Sequence, residues 1–503
     1  MDRSLSHLSH ENGHALSSLL ERADSTTPSV RDFWRVLLLC FNTPRPSSDY
    51  DGINRDERLD LFRTIIKTVC DERALVYRED KAGNIVIANF SDVGKAKVCF
   101  QGHMDVVVSK NESVVHSFET DGVDVRLTAE GTIKPIKGIT LGADNGVAIA
   151  CGLAMLCNYK DTRLELLITK NEETSFSGAI GLDASLISAD VIMNLDSEEE
   201  SAICVGSAGG FEQHFHLPCE RSQVDPSYAF YSLKIRDLKG GHSGIDIDKE
   251  KENAILAMTR ILLIDGIRIV SINGGTSSNA IPRECSCVVA AKAAHISQIE
   301  VNFSKLKAEI LRKEDSVKLE VSPISKSDMN PFTEEGSRRI LSLLFSLKSG
   351  VVRRIPESGD VECSINLGLV ITNQNTVSLK YLVRSTSQSW MQFFSQQLTL
   401  IGEQLGAQVD AFKGYFGAWE PDFHSDILKK LKATHPGGDV MVYTVHAGLE
   451  CCTILERFKV IGRNNVECAS IGPRIENAHS PDECLYIESA VRFVRWVEAL
   501  VQH

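Results

Sequence analysis

The chain has no long hydrophobic run, because its longest nearly uninterrupted apolar stretch covers only residues 146–157 (GVAIACGLAMLC). A membrane-spanning helix needs about 18 such residues, so no segment is expected to cross a bilayer. Basic stretches are also missing, and the formal net charge of −13 is spread along the chain. Binding nucleic-acid phosphates or an anionic membrane takes clustered Lys and Arg, so neither partner is expected.

Two sequence patterns that involve cysteine or secretion are absent as well. None of the 14 cysteines belongs to a C-x-x-C pair, which argues against a zinc finger. The first thirty residues lack the apolar segment of a secretory signal peptide. We therefore expect a cytoplasmic protein whose cysteines are mostly small buried apolar side chains.

What the chain does have is enough length and apolar content for a large soluble protein. Its 503 residues are 43% hydrophobic and 24% charged, which predicts about three domains. A chain of this size buries about three quarters of the surface that its unfolded state exposes, so it needs no metal to fold. Any bound metal would serve chemistry.

The pattern of apolar segments changes twice along the chain. Residues 1–30 are polar and are interpreted as a partly ordered N-terminal extension. In residues 31–208, short apolar runs alternate with helical patterns, which predicts an α/β fold with a mostly parallel sheet and helices on both faces. Residues 209–418 follow the βαββαβ order of a ferredoxin-like unit, and a second, similar set follows it, so we expect a doubled α+β insert. The α/β pattern returns in residues 419–503.

Acidic and imidazole side chains stand where the predicted buried strands end. The strand at 97–102 runs into His103 and Asp105, the strand at 164–169 is followed by Glu172 and Glu173, and a third ends at Asp196. The carboxyl ends of strands in open α/β sheets collect ligands, so these groups are expected at one edge. Crowded carboxylates repel one another, and a divalent cation is the usual remedy.

Each of these motifs also has an ordinary structural explanation. His103-x-Asp105 fits a polar strand end, although a carboxylate two residues on can also hold the imidazole of a metal ligand. Glu172 and Glu173 fit a solvated loop, although one can face a metal and the other a water molecule. Asp144, within a glycine-rich segment at 142–146, fits a helix cap.

Two further segments present a histidine. His242 lies in the glycine-rich segment 240–244, which also fits a strand-to-helix loop. Around His479, Ser480 and Glu483 have the spacing of a capping box, with Pro481 at the first helical position. This predicts a helix over residues 481–501 with His479 just before its positive end, where a neutral, ligating imidazole is favoured.

Together these residues match the requirement of a dinuclear site. Two zinc-type ions about 3.5–4 Å apart need two terminal ligands each and one bridging ligand with nitrogen or oxygen donors. His103 with Asp196, and Glu173 with His479, supply the terminal pairs, and Asp144 supplies the bridge.

Nine motifs occur in one order from about residue 30 to the C-terminus. They are TPRPS (43–47), QGHMDVV (101–107), TLGADNGVA (140–148), NEETSFSGAIGL (171–182), NLDSEEE (194–200), KGGHSGIDI (239–247), NAIPRE (279–284), HAGLEC (446–451) and NAHSPDE (477–483). In these segments the chain resembles the zinc dipeptidase superfamily that includes aminoacylases and glutamate carboxypeptidases. Within it, the chain is similar to the branch of bacterial aminoacyl-histidine dipeptidases, or cytosol non-specific dipeptidases.

The resemblance implies a role for each matching residue. Asp144, typically followed by a cis peptide in that family, would bridge two divalent ions, most often zinc, with manganese or cobalt as alternatives. Asp105 would orient His103, Glu172 would be the general base that activates a metal-bridging water, and His242 would stabilise the oxyanion. The residues implied for substrate binding are Asn279, Arg384 and Gly448 at the terminal carboxylate and Glu450 at the free amine.

The resemblance also implies an activity and an architecture. Residues 31–208 and 419–503 would form the catalytic domain and residues 209–418 a lid, and the enzyme would hydrolyse dipeptides, either Xaa-His or a broad range. A homodimer through the lid is a further expectation. Asn171, Ser175, Cys452, Arg474 and Glu476 depart from the branch's usual residues, which leaves substrate preference open. The alternatives are an N-acyl amino acid amidohydrolase on the same scaffold and a non-catalytic binding relative.

Overall fold

The computed structural model describes residues 8–53, 55–325 and 327–503, which divide into two units. Unit 1 holds the chain up to Gly206 together with Pro421–Tyr443 and Glu450–His503. Unit 2 holds Ser207–Glu420 and Thr444–Leu449. None of the described helices has the length and apolar character needed to cross a membrane.

The α-helices and strands are numbered in chain order. The helices are α1 (His10–Leu20), α2 (Pro28–Asn42), α3 (Asp60–Arg73), α4 (Ala143–Asn158), α5 (Ser177–Ile180), α6 (Ala254–Leu262), α7 (Ala293–Ile310), α8 (Glu334–Ser346), α9 (Gln388–Gln404), α10 (Asp426–Thr434), α11 (Glu450–Val460) and α12 (Ile487–Gln502). The strands are β1 (Val76–Glu79), β2 (Ile85–Ala88), β3 (Val98–His103), β4 (Val125–Leu127), β5 (Thr132–Pro135), β6 (Leu164–Thr169), β7 (Val191–Asn194), β8 (Ala202–Ser207), β9 (Gly209–Pro218), β10 (Ala229–Arg236), β11 (Gly241–His242), β12 (Arg268–Gly274), β13 (Ala280–Ile281), β14 (Cys285–Ala291), β15 (Lys318–Ile324), β16 (Gly350–Arg354), β17 (Val361–Asn373), β18 (Thr376–Ser385), β19 (Gln408–Val409), β20 (Lys413–Phe416), β21 (Met441–Val445), β22 (Glu467–Ser470), β23 (Ile475–Glu476) and β24 (Cys484–Tyr486).

Unit 1 is built on an eight-stranded sheet in the order β1-β2-β6-β3-β7-β22-β8-β21. Parallel pairing joins the four central strands β6, β3, β7 and β22, while β1, β2 and β8 pair antiparallel. The predicted α/β class is confirmed, and the parallel part of the sheet is its centre. The carboxyl ends of β6, β3 and β7 therefore meet at one edge.

Both faces of this sheet are covered by helices. Phe100 of β3 packs in one apolar core with side chains of α2, α4 and α12. Its neighbour Gln101 points to the opposite face, because successive residues of a strand alternate. There Gln101 donates a hydrogen bond to Glu450, the first residue of α11, at 2.8 Å.

A second, four-stranded sheet of unit 1, in the order β23-β24-β5-β4, determines where His479 lies. β23 and β24 are antiparallel, with Glu476 opposite Cys484, so residues 477–483 form the loop that joins them. The helix predicted over 481–501 begins only at Ile487. The predicted capping box at Ser480 is therefore wrong, and the Ser480 hydroxyl accepts instead from the Asp482 N–H at 3.2 Å.

Unit 2 contains a ten-stranded sheet in which two sets of elements share one strand order. The first set is β10, α6, β12, β14, α7 and β15, with spatial order β15-β10-β14-β12. The second is β9, α8, β17, β18, α9 and β19, with spatial order β19-β9-β18-β17. The first strand of the second set, β9, thus precedes the whole first set in the chain, and the sets join where Gly274 of β12 faces Val370 of β17.

Residues 444–449 belong to unit 2, although the sequence pattern placed all of residues 419–503 in one C-terminal segment of the catalytic domain. The reason is their contacts, since the Thr444 N–H donates to Asp360 at 2.7 Å and the Val445 carbonyl accepts from Ala208 at 2.9 Å. Sequence periodicity does not reveal such contacts, because they join segments that are far apart in the chain.

The predicted N-terminal extension is integrated into unit 1 where the structure describes it, and residues 1–7 lie outside the described residues. Leu19 of α1 has no exposed surface and packs in the main apolar core. Asn12 is equally buried, donates to the Val123 carbonyl at 3.0 Å and accepts from the Val125 N–H at 3.0 Å. Residues 8–30 are therefore part of the unit rather than an appendage.

Replacing Leu19 by Ala should lower the free energy of unfolding of unit 1 by about 2–5 kcal/mol, because it leaves a cavity in a closed core. Chemical denaturation of the full-length variant checks this. The control is Ser18→Ala on the exposed face of the same helix, which should change little. A change in Leu19→Ala as small as in the control would contradict the packing of α1.

Candidate metal centre

Three parallel strands, the first turn of α4 and one loop of unit 1 bring the predicted ligands together. His103 ends β3, Asp196 follows β7, and Glu173 follows β6, so these three lie at the carboxyl edge of the sheet. Asp144 comes from the first turn of α4, and His479 from the loop between β23 and β24.

The carboxylate of Asp144 lies between the two imidazoles. Its Oδ1 is 3.1 Å from His103 Nε2, and its Oδ2 is 3.0 Å from His479 Nε2. The two remaining carboxylates stand one beside each ring, with Asp196 Oδ1 3.4 Å from His103 Nε2 and Glu173 Oε2 2.9 Å from His479 Nε2. Each imidazole thus has its own acid, and Asp144 is shared. The Asp144–Asn145 peptide bond is cis, as in the family that the motifs resemble.

Asp105 acts on this edge differently from the sequence-based expectation. Its main-chain oxygen, rather than its carboxylate, is hydrogen-bonded by His103 Nδ1, at 3.0 Å, and Oδ1 is 3.7 Å from that nitrogen. The carboxylate instead accepts from the N–H groups of Glu172 and Glu173 at 3.1 and 3.3 Å and from the Ser47 hydroxyl at 2.7 Å. Asp105 therefore orients the His103 ring through its backbone and the Glu172-Glu173 segment through its side chain.

The crowding of acids perturbs their protonation. Burial, together with the negative charge of Asp144, raises the pKa of Glu173 to about 7. Burial also raises the pKa of Asp196 to about 6, although the His103 ring opposes the shift. Hydrogen bonds to Asp144 and Glu173 raise the pKa of His479 to about 11. In the metal-free chain these acids and imidazoles therefore share protons, and a divalent cation could take the place of those protons.

These residues fit divalent ions by two tests. Glu173 Oε1 and Asp196 Oδ1 are buried and have no hydrogen-bond partner among the described residues, so each leaves a lone pair free for a ligand. Donor atoms also converge, since those of His103, Asp144 and Asp196 lie within 4.8 Å of one another. Imidazole and carboxylate donors suit zinc and its neighbours.

Glu172 stands beside the proposed ligands without pairing closely to either imidazole. Its Oε2 is 4.0 Å from His103 Nε2. Burial raises the pKa of Glu172 well above its usual value, and the charges of Asp196 and Glu173 add to this shift against the opposing effect of His103. A carboxyl group with a raised pKa can take up a proton and return it, as a general base and acid must.

The predicted oxyanion residue lies in unit 2, on the short β11–β13 pair. His242 Nδ1 accepts from the N–H groups of Gly244 and Ile245, both at 3.2 Å, which places the proton of the neutral ring on Nε2. β11 and β13 pair His242 with Ala280, next to the exposed Asn279. The ring can therefore donate a hydrogen bond from Nε2.

Arg384 of unit 2 is a buried cation without an acidic partner. Its side chain forms no ion pair with a carboxylate of the described chain, and its Nε has no hydrogen-bond partner there. Burial lowers the pKa of Arg384 to about 10. A buried guanidinium of this kind is suited to an anionic ligand such as a carboxylate.

Glu450, predicted at the substrate amine, is almost fully buried at the start of α11. Its Oε2 accepts from Gln101 at 2.8 Å and from the Thr169 hydroxyl at 2.5 Å, whereas Oε1 has no partner among the described residues. Burial raises the pKa of Glu450 to about 8. Gly448 lies just before it, in the segment that belongs to unit 2.

The amino-acid sequence is 33% identical over 479 residues to cytosol non-specific dipeptidase from Escherichia coli (strain K12), and the alignment covers 92% of this chain and 95% of that protein. This chain belongs to the cytosol non-specific dipeptidase family. Aminoacylhistidine dipeptidase from Vibrio alginolyticus superposes with a TM-score of 0.84 at 30% identity, over 96% of this chain and 99% of that one. Aminopeptidase PepT from Bacillus cereus ATCC 10987, at 13% identity and a TM-score of 0.52 over 94% and 97% of the two chains, shares the fold. No protein-family model matches the chain.

Two further residues of this family member stand out only in the folded structure. Glu198 has a donor atom within 4.8 Å of those of Asp144 and His479, and burial raises its pKa to about 8. The three consecutive acids at 198–200 are visible in the sequence, but their pattern does not show which of them lies near Asp144 and His479. In unit 2, His446 Nε2 is hydrogen-bonded to the Ser364 hydroxyl at 2.7 Å, and burial with the charge of Arg384 lowers the His446 pKa to about 3.

Proposed function

We propose that this member of the family is a metal-dependent dipeptidase that hydrolyses the peptide bond of Xaa-His or a broader range of dipeptides. The observation that carries the proposal is the position of Asp144, with one carboxylate oxygen toward each of two imidazoles and a second acid beside each ring. That arrangement supplies two terminal ligands per ion and one bridge.

These distances support the following ligand sets. His103 and Asp196 would hold one ion, Glu173 and His479 the other, and Asp144 both. Imidazole and carboxylate donors suit zinc. Manganese and cobalt are alternatives, because metal availability often decides which ion fills such a site. When bound, the ions supply Lewis acidity, which polarises the scissile carbonyl and lowers the pKa of water.

Glu172 is the group of this chain that moves the proton. It removes a proton from the attacking water and then delivers that proton to the nitrogen of the leaving amine. Its raised pKa makes it a better proton acceptor than an ordinary carboxylate, and the leaving nitrogen, a stronger base than a carboxylate, can then take the proton from it. Asp105 holds Glu172 in place through the backbone N–H at 3.1 Å.

The residues of unit 2 are proposed to bind and polarise the substrate. His242 donates from Nε2 to the oxygen that becomes negative during hydrolysis. Arg384, Asn279 and Gly448 bind the terminal carboxylate, and the free Oε1 of Glu450 in unit 1 accepts from the substrate's amine. A cytosolic location and a homodimer through unit 2 complete the proposal.

The deciding experiment is a substrate panel with metal-reconstituted protein. Dipeptides, their N-acetylated forms, their C-amidated forms and N-acetyl amino acids are compared at equal concentration, with Xaa-His among the dipeptides. We expect hydrolysis of the free dipeptides and little of either blocked form. Release of acetate from N-acetyl amino acids instead would identify an N-acyl amino acid amidohydrolase, and metal binding without any hydrolysis would identify a non-catalytic relative.

Replacing Arg384 by Gln should raise KM for free dipeptides by about 10- to 100-fold, because it removes a charge-assisted hydrogen bond worth about 1.5–3 kcal/mol. The C-amidated dipeptide has no carboxylate to lose, so its kcat/KM should change little. Steady-state kinetics on both substrates checks this. The matched control is Arg338→Gln, an exposed arginine of unit 2 that pairs with Glu335 on the surface. Equal losses on both substrates would place Arg384 away from the carboxylate.

A further inference from the structure

The carboxylate of Glu483 is fully buried and accepts hydrogen bonds from four consecutive backbone N–H groups. Oε2 accepts from Leu141 and Gly142 at 2.9 and 3.0 Å, and Oε1 accepts from Ala143 and Asp144 at 2.8 and 3.2 Å. Four successive N–H groups can converge on one acceptor because Gly142 has a left-handed φ of 78°. Glu483 therefore holds the backbone on which Asp144 stands.

Arg45 holds the same segment from its carbonyl side. This buried guanidinium donates to the Gly142 carbonyl and, at 3.0 Å, to the carbonyl of Met104, the residue that follows His103. Glu483 itself lies four residues after His479 in the same loop. One pair of buried polar side chains thus connects the backbone segments that carry His103, Asp144 and His479.

We propose that Glu483, assisted by Arg45, is a positioning residue that sets how Asp144 presents its two oxygens to the two ions, an inference that rests on the proposed function. The carboxylate of Glu483 binds backbone N–H groups rather than the side chains of the proposed ligands. It fixes the N–H of Asp144 at 3.2 Å, and the side chain of Asp144 in turn reaches His103 and His479 at 3.1 and 3.0 Å. A shift of this backbone moves the shared ligand relative to both rings at once.

The competing explanation is that Glu483 only stabilises the start of α4, and Glu165 provides a control for it. Glu165 is also buried, and its carboxylate accepts from the Ser188 and Ala189 N–H groups, each at 3.0 Å, and from the Ser188 hydroxyl at 2.9 Å. In the sheet, Glu165 of β6 lies opposite Cys99 near the start of β3, whereas His103 is the last residue of that strand. Glu165 is therefore, like Glu483, a buried carboxylate that binds backbone N–H groups, but it does not contact the proposed ligands.

The test compares Glu483→Gln with Glu165→Gln in the full-length protein. Glutamine has one acceptor oxygen, and its amide group would point donors at backbone N–H groups, so Glu483→Gln breaks up to half of the four hydrogen bonds. Zinc affinity is measured by competition with a chromogenic chelator, and ligand geometry by the visible absorption of the Co²⁺-loaded protein. Melting temperature reports the structural effect of each variant.

We expect Glu483→Gln to lower the zinc affinity by about 10- to 100-fold, the usual effect of removing a partner of a metal ligand, and to change the Co²⁺ spectrum. Glu165→Gln should lower the melting temperature and leave both metal readouts unchanged. If Glu483→Gln fails to fold, Arg45→Lys tests the other side of the segment with the same readouts, because a single ammonium does not span both carbonyls.

A Glu483→Gln variant with a lowered melting temperature but wild-type zinc affinity and Co²⁺ spectrum would overturn the inference and leave a structural role only. That result would leave the proposed function intact, as long as the wild type binds metal and cleaves dipeptides. Wild-type protein that does neither would instead refute the proposed function.

Discussion

Glu172→Gln should lower kcat for dipeptide hydrolysis by about 10²–10⁴-fold while the protein keeps its bound metal, because general acid–base catalysis contributes about that much to a rate. The amide is nearly isosteric with the carboxyl group but neither takes up nor returns a proton. Steady-state kinetics and the metal content of the same preparation are measured together. The control is Glu199→Gln, an exposed acid in the run that follows Asp196.

The neighbouring acid gives this test its sharpest contrast. Glu173→Gln should weaken metal binding, since Glu173 Oε2 lies 2.9 Å from His479 Nε2 and its second oxygen has no hydrogen-bond partner in the described part of the chain. Two adjacent carboxylates would then fail in different ways, one in proton transfer and one in ligation. Wild-type turnover by Glu172→Gln would refute the assigned mechanism, and metal loss in that variant would make Glu172 a ligand instead.

Removing the metal with a chelator should abolish dipeptide hydrolysis, and adding zinc, manganese or cobalt should restore it. Without the ions the substrate carbonyl is not polarised and the pKa of water is not lowered. Activity is measured before chelation, after dialysis and after each addition. The matched control is magnesium, which prefers oxygen ligands and should restore little activity.

Metal affinity should also rise with pH. Hydrogen bonds to Asp144 and Glu173 raise the pKa of His479 to about 11, and Asp196 and Asp144 outweigh burial to raise the pKa of His103 well above its usual value. Each ring therefore keeps its proton to a higher pH than a free imidazole does, and an incoming cation must displace that proton. Chelator competition at pH 6, 7 and 8 measures the trend. Affinity that is independent of pH would argue against histidine ligation. Full activity after chelation would argue against metal-dependent hydrolysis.

The amino-acid sequence determined the fold class and the chemical identity of the site. Strand-length apolar runs that end in His103, Glu173 and Asp196 were enough to place these groups at one sheet edge, because parallel strands put their carboxyl ends together. The βαββαβ pattern predicted the α+β insert, because local periodicity reports the type of each element and which of its faces is buried. The assigned roles of Glu172, His242 and Arg384 rest on motif resemblance and stay predictions until they are measured.

Contacts between segments that are far apart in the chain could not be predicted from the sequence. Ser480 and Glu483 had the spacing of a capping box, yet Glu483 binds backbone groups 339 to 342 positions earlier in the chain. The spacing describes only what a short segment would do alone, and a buried carboxylate binds whichever donors the fold supplies. The same limit explains why α1 was interpreted as an extension, since its apolar face is matched only by the assembled core.

The tertiary structure also decided how the site residues share their work. The His103 ring is hydrogen-bonded to the Asp105 main chain, which leaves that carboxylate free to hold the Glu172-Glu173 backbone. Glu198 became distinguishable from its two acidic neighbours only because it converges with Asp144 and His479. Residue type and spacing along a strand establish which groups reach an edge. Which of these groups contact one another at the edge depends on the strand register and the loop positions, and only long-range packing sets these.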